Sequence, residues 1–208
     1  TGPAFEEVAL DDVAVDDYAR DVLDLMSHLD VDRAVIVGLS MGGYVAFALW
    51  RLARARVSGL VLADTKAGAD SEEGRAGRDR VAALVRQAGP RALADAFVPK
   101  LLGETTKREQ PDLSDAVRRL IELNTAEAIA AAALALKTRP DSGPDLPSID
   151  VPTTIICGEE DVLTPPSESE ALHAAIAGSR LVLLPRAGHL SNLEAAPAFS
   201  AALARALE

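Results

Sequence analysis

The chain has 208 residues, which suits one domain with a sizeable core; nearly half are apolar and a quarter are charged. Its formal net charge is −11, and a negative surface repels phosphate backbones and anionic lipid, so nucleic-acid and membrane partners are disfavoured. The longest apolar run, 128–136, is too short to cross a bilayer, and no basic stretch followed by an apolar one marks a secretory leader.

Residues 1–12, "TGPAFEEVALDD", have no periodicity and read as a lead-in. In "VAVDDYARDVLDLMSHL", Tyr18, Val22, Leu25, Met26 and Leu29 recur at helical spacing, with Asp16 or Asp17 able to cap the start. "RAVIVG" is apolar throughout, as a strand buried on both faces of a parallel sheet requires. A helix follows Gly43 through "YVAFALWRLARA", and then a second apolar strand, "VSGLVLAD". Residues 67–147 interrupt the alternation. "SEEGRAGRDRVAALVRQAG" reads as one helix, and Gly89-Pro90 closes it and opens "PRALADAFVPKLL". "DLSDAVRRLIELN" and a Thr125-capped "AEAIAAAALALKT" complete an all-helical insertion, and "RPDSGPDLPSIDVP" returns from it. Alternation resumes with strand "TTIIC", a helix over about 167–177, strand "RLVLLP" and a helix over about 192–207. This is an α/β pattern with a parallel sheet, divided as core (1–66 and 146–208) and helical insertion (67–145). The insertion is expected above the strands' C-terminal edge, where ligands of open α/β sheets bind. Cys157, the only cysteine, lies in an apolar strand and is expected to be buried; without a disulfide partner it suits a reducing, cytoplasmic setting.

"GLSMG" at 38–42 fits G-x-S-x-G, with an apolar strand before it and a helix after it. In that context a serine is held on a strained turn at the sheet's tip, and the flanking glycines let strand and helix backbones crowd together. The helix N-terminus favours the negative charge that develops in acyl transfer. Ser40 is therefore a candidate nucleophile, and a serine hydroxyl needs a base oriented by a third group. Of three histidines, His28 and His173 sit on amphipathic helices, whereas His189 lies in "PRAGHLSNLE", on the loop after the last strand. The loop after the third strand, "GEEDVLTPP", offers Glu159, Glu160 and Asp161 as the orienting carboxylate, and Asp161 is preferred because "TPP" fixes a turn after it. Asp64, at the end of the second strand, is the rival. Ser40, Asp161, His189 is the chain order of α/β-hydrolases.

On "GLSMGGYVAFAL", "GEEDVLTPP" and "AGHLSNLEAAPAF", the chain from about residue 13 onward resembles the α/β-hydrolase superfamily. It is most similar to the group of carboxylesterases and 3-oxoadipate enol-lactonases. The resemblance implies Ser40 as nucleophile, His189 as base, Asp161 as its orienter and the insertion as a lid or cap. It also implies an oxyanion hole with the Met41 N–H as one donor, a small ester or lactone as substrate, and no metal or organic cofactor. C–C bond hydrolysis, perhydrolysis and low-turnover ligand binding are the alternatives on the same residues. In such relatives a sheet of eight strands is usual and the nucleophile strand is the fifth; here it is the first one visible. No His-Gly dipeptide, the source of the second oxyanion donor, precedes Ser40. The expectation is that the 33–37 strand is not a free edge, and that a preceding segment, a second polypeptide or another copy pairs with it.

Overall fold

The computed structural model describes residues 12–208; all but the last residue of the expected lead-in lies outside them. Four strands form one parallel sheet in the order β1 (Ala34–Leu39), β2 (Val57–Ala63), β3 (Thr153–Gly158), β4 (Arg180–Leu184). Side chains alternate across it as a pleat demands. Leu60, Leu62 and Ile155 pack on one face with Phe47, Leu49 and Trp50, while Val61, Ala63 and Ile156 pack on the other with Phe199 and Ala202. Helices α1 (Val15–His28), α2 (Met41–Ala53) and α7 (Pro166–Ala175) cover the first face and α9 (Ala196–Ala206) the second. Two covered faces explain why the strands read as continuous apolar runs, and β3 is buried along its whole length.

The insertion comprises α3 (Glu72–Leu101), α4 (Glu104–Glu109), α5 (Pro111–Glu122) and α6 (Ala126–Lys137). Gly89, at φ 78°, breaks α3 into two helical stretches where Gly89-Pro90 was expected to. Thr125 caps α6 by accepting the Ala128 N–H at 3.1 Å. The two ends of the insertion are tied together: Arg139, nearly buried, pairs with Asp70 at 2.8 Å and lies over the Tyr44 ring, and the Ser142 N–H donates to Ala67 O.

Two expectations are corrected and one helix is added. The N-cap of α1 is Ala14 rather than Asp16 or Asp17; Asp17 reaches back from the third helical position to accept the Ala14 N–H at 2.8 Å. Helix α4, "ETTKRE", has no apolar period and left no signal in the sequence. The C-terminal helix is two, α8 (Ser191–Glu194) and α9, broken at Ala195, with Pro197 in the first turn of α9.

Among the described residues β1 pairs on one side only, with β2. Val37 is 47% exposed, and a groove beside it is lined by Tyr18, Val22, Val35, Gly42 and Val45. Leu25 on α1 and Leu29 at its C-cap are exposed although both belong to the expected apolar stripe.

Crowding at the β1–α2 turn falls on particular glycines. A Cβ on Gly38 would stand 2.3 Å from Gly42 O, whereas one on Gly42 would meet nothing within 4 Å among the described residues. Gly38→Ala should therefore lower stability by about 2–3 kcal/mol or more, since backbone must move. Gly42→Ala, in the first turn of α2, should be neutral or stabilising by up to about 1 kcal/mol. Urea unfolding of both variants checks this, and an equal loss in the two would contradict the crowding.

Candidate active site

Ser40 lies between β1 and α2 at φ 51°, ψ −112°, a backbone conformation that strains any residue with a side chain. It is held there from three directions. Its N–H donates to Ala63 O at 2.9 Å, and its carbonyl accepts both the Gly43 N–H at 3.0 Å and the Thr65 hydroxyl at 2.8 Å. Gly43 is required there because a Cβ would lie 2.4 Å from Thr65 Oγ1. The turn lifts Oγ off the end of the sheet. Met41 is the first residue of α2, so its N–H has no partner within the helix.

His189 and Asp161 arrive from the loops after β4 and β3. His189 Nε2 is 2.8 Å from Ser40 Oγ, and His189 Nδ1 is 2.8 Å from Asp161 Oδ2. Asp161 Oδ1 also accepts the N–H groups of Leu163 (2.8 Å) and Thr164 (3.0 Å), and Oδ2 the Thr164 hydroxyl at 2.7 Å. Burial would raise the Asp161 carboxyl. The hydrogen bond and charge of His189, with the two bonds from Thr164, outweigh it and hold the carboxyl below its ordinary value. An ionised Asp161 fixes the tautomer with the proton on Nδ1, leaving Nε2 to accept from Ser40. His28 and His173 stand apart, exposed on α1 and α7, with His173 Nδ1 2.9 Å from Ser179 Oγ.

The insertion touches these loops directly. Leu101 O accepts the N–H groups of His189 (3.1 Å) and Leu190 (3.2 Å), and buried Glu194 accepts the N–H groups of Gly103 (2.8 Å) and Leu190 (3.0 Å). Glu160 accepts both the N–H and the hydroxyl of Thr105. Sequence reading gave no role to Thr65, Ser191 or Glu194, and used Thr164 only as part of the turn after Asp161. The one further signal was position, each lying within a few residues of a candidate.

Asp64 is completely buried and does not bond His189. It accepts the Gly158 N–H at 2.9 Å and the Ser191 hydroxyl at 2.5 Å. Burial pushes its carboxyl up to about 7 against the lowering effect of those two bonds, with the Asp161 charge adding to the rise. Ligand atoms of Asp64, Cys157 and Asp161 lie within 4.8 Å of one another. Burial, with both carboxylates adding, pushes the fully buried Cys157 thiol up to about 12, and a thiol must lose its proton to bind a metal. That donor set fits a cation poorly.

With this geometry the chain's relationships fall into place. A family model described as alpha/beta hydrolase fold matches residues 2–196, so the chain belongs to that family, and its esterase and enol-lactonase relatives put it among hydrolases acting on ester bonds. It is 29% identical over 189 residues to 3-oxoadipate enol-lactonase 2 of Acinetobacter baylyi, covering 91% of this chain and 69% of that protein. It is 31% identical over 172 residues to a pimeloyl-[acyl-carrier protein] methyl ester esterase of Neisseria meningitidis, covering 81% of this chain and 66% of that protein. Among solved structures it resembles a thermophilic esterase from Thermogutta terrifontis, with TM-score 0.91, 40% identity, and coverage of 94% of this chain and 72% of that one. The enol-lactonase from Burkholderia xenovorans gives TM-score 0.85 and 33% identity, with coverage of 94% and 73%. The chain thus spans about two thirds to three quarters of the length of these relatives. No helix among the described residues is long and apolar enough to cross a membrane.

The Asp64 carboxyl yields a testable pH dependence. Unfolded, it loses its proton near pH 4; folded, it keeps the proton to about 7. Its contribution to stability is therefore full below pH 4 and is lost as pH rises through 7. Relative to the parent chain, Asp64→Asn should gain up to about 4 kcal/mol between pH 4 and pH 8. Urea unfolding at a series of pH values measures this, and a difference that does not change with pH would contradict it.

Proposed function

We propose that the chain is a serine hydrolase that cleaves a small carboxylic ester or lactone through an acyl-enzyme on Ser40. The observation that carries this reading is the continuous relay from Ser40 Oγ through the His189 ring to Asp161, with 2.8 Å at both links. Ser40 attacks the carbonyl while His189 Nε2 takes its proton, and Asp161 holds the ring and stabilises the imidazolium. The proton passes to the leaving alcohol or, in a lactone, to the ring oxygen that opens. His189 then draws a proton from water, which releases the acid. The ester and lactone chemistry of the named relatives supports this substrate class. The relay is intact, which favours turnover over a ligand-binding role.

Met41 N–H supplies one donor to the oxyanion on this reading. The second comes from a strand that pairs on the open side of β1, where the groove next to Gly42 and the exposed Val37 leave room for it. An apolar parallel strand with an unpaired ladder is otherwise a template for aggregation. The helical insertion serves as a cap over the site, and a reducing cytoplasm suits the lone buried cysteine.

A panel of p-nitrophenyl esters and lactones tests the reading. Ser40→Ala should lose on the order of 10⁶-fold in kcat, and Asp161→Asn about 10⁴-fold through the wrong imidazole tautomer. Asp64→Asn should lose far less. Unchanged hydrolysis by Ser40→Ala would remove the nucleophile assignment, and the reverse ranking of the two aspartates would move the orienting acid to the end of β2.

A further inference from the structure

Asp64 is a buried carboxylate beside the triad to which the proposed reaction gives no task. It is the first residue after β2, has no exposed surface, and stands at φ 45°, where a residue with a side chain is strained. Its N–H extends the ladder by donating to Ile156 O at 2.8 Å. Its two oxygens then serve different loops. Oδ1 accepts from Gly158, which ends β3 and starts the turn delivering Asp161; the Asp161 N–H donates back to Gly158 O at 3.2 Å. Oδ2 accepts from Ser191, two residues beyond His189 and itself fully buried at the start of α8. The loops also meet by backbone: a Cβ on Gly158 would stand 2.2 Å from Gly188 O.

We propose that Asp64 is a positioning residue of the triad, pinning the loop of Asp161 through Gly158 and the loop of His189 through Ser191 to one point at the end of β2. The inference rests on Ser40, His189 and Asp161 acting as proposed above. Each of the two 2.8 Å links of the relay joins a different pair of strand ends, so a common anchor removes the freedom of the loops relative to one another. A displacement of about 1 Å in a reacting group costs on the order of 10²-fold in rate, which sets the scale of what such an anchor contributes.

A neutral amide could accept one of these bonds and donate the other, so the carboxylate's charge does something further. The charged groups facing it are Asp161 from the loop after β3 and His189 from the loop after β4, while the neighbouring Cys157 thiol stays protonated. When His189 takes the proton of Ser40, an ionised Asp64 lies on the favourable side of the imidazolium. Because its carboxyl titrates at about 7, that support is gained as pH rises through neutrality.

The test compares Ser191→Ala, Asp64→Ala and Asp64→Asn by kcat and KM on one p-nitrophenyl ester between pH 5.5 and 9, with a ¹³C carboxyl titration of each. Ser191→Ala and Asp64→Ala should lose about 10- to 100-fold in kcat with KM within about twofold, the signature of misplacement without lost binding. Asp64→Asn should recover most of kcat below pH 7 and gain less than the parent chain as pH rises through 7. In the parent a carboxyl resonance should titrate near pH 7, vanish in Asp64→Asn and titrate higher in Ser191→Ala. Unchanged kcat in Ser191→Ala, or an Asp64→Asn profile that superimposes on the parent's, overturns the inference while leaving the hydrolase reading intact. A parent chain that turns over no ester overturns the hydrolase reading instead, and the carboxyl titration then decides the Asp64–Ser191 link: a resonance unmoved by Ser191→Ala refutes it. If Asp64→Ala does not fold, the other two variants decide.

Discussion

The 2.8 Å contact between His189 Nε2 and Ser40 Oγ joins residues 149 apart in sequence, and the molecule is arranged so that it can form. A parallel sheet delivers the ends of β1, β3 and β4 to one edge, which is why a serine, a carboxylate and an imidazole can converge from three separate loops. Sheet order places β2 and β3 between the serine and the histidine, so their lengths and registers set the span the side chains must cross. The histidine loop is fixed from above as well as below, by Leu101 O in the insertion and by the Ser191–Asp64 link at the end of β2.

Holding that contact has a stability cost. Ser40 and Asp64 both occupy left-handed backbone conformations without being glycine, each at a cost of about 1–3 kcal/mol. Asp64 and Asp161 are two buried carboxylates within 4.8 Å of one thiol, in a place where apolar side chains would pack more favourably. The surrounding core offsets this. Phe47, Leu49, Leu60, Leu62, Ile155 and Ile156 have almost no exposed surface, and they lie on β2, β3 and α2, the elements whose ends form the site. The strain sits on the ends of these packed elements, as pre-organisation of the proposed nucleophile requires.

Much of this was legible in the residues because the physics involved is local. Continuous apolar runs gave all four strands to within two residues, since burial on two faces leaves no polar alternation. The turn that carries Ser40 showed itself through its glycines, although the crowded positions are Gly38 and Gly43 while Gly42 meets no other atom among the described residues. Asp161 was separable from Asp64 by the turn that Thr164 and the prolines build after it. What escaped notice was non-local. Ser191 and Glu194 gain their partners, Asp64 and Gly103, only when strands far apart in sequence are laid side by side. The polar helix α4 is set by its packing place and not by an apolar period of its own. The uncovered stripe of α1 at Leu25 and Leu29 reads in sequence as core, and among the described residues it has no cover.

The central claim is that Ser40 becomes covalently acylated during turnover, and rapid acid quenching followed by intact-mass measurement tests it most directly. With a p-nitrophenyl ester, the expected result is a species heavier by one acyl group per chain, formed in a burst of p-nitrophenol and mapped by peptide mass to the segment containing Ser40. Product formation with no covalent adduct at any quench time, or an adduct on a peptide other than the one containing Ser40, would contradict the account.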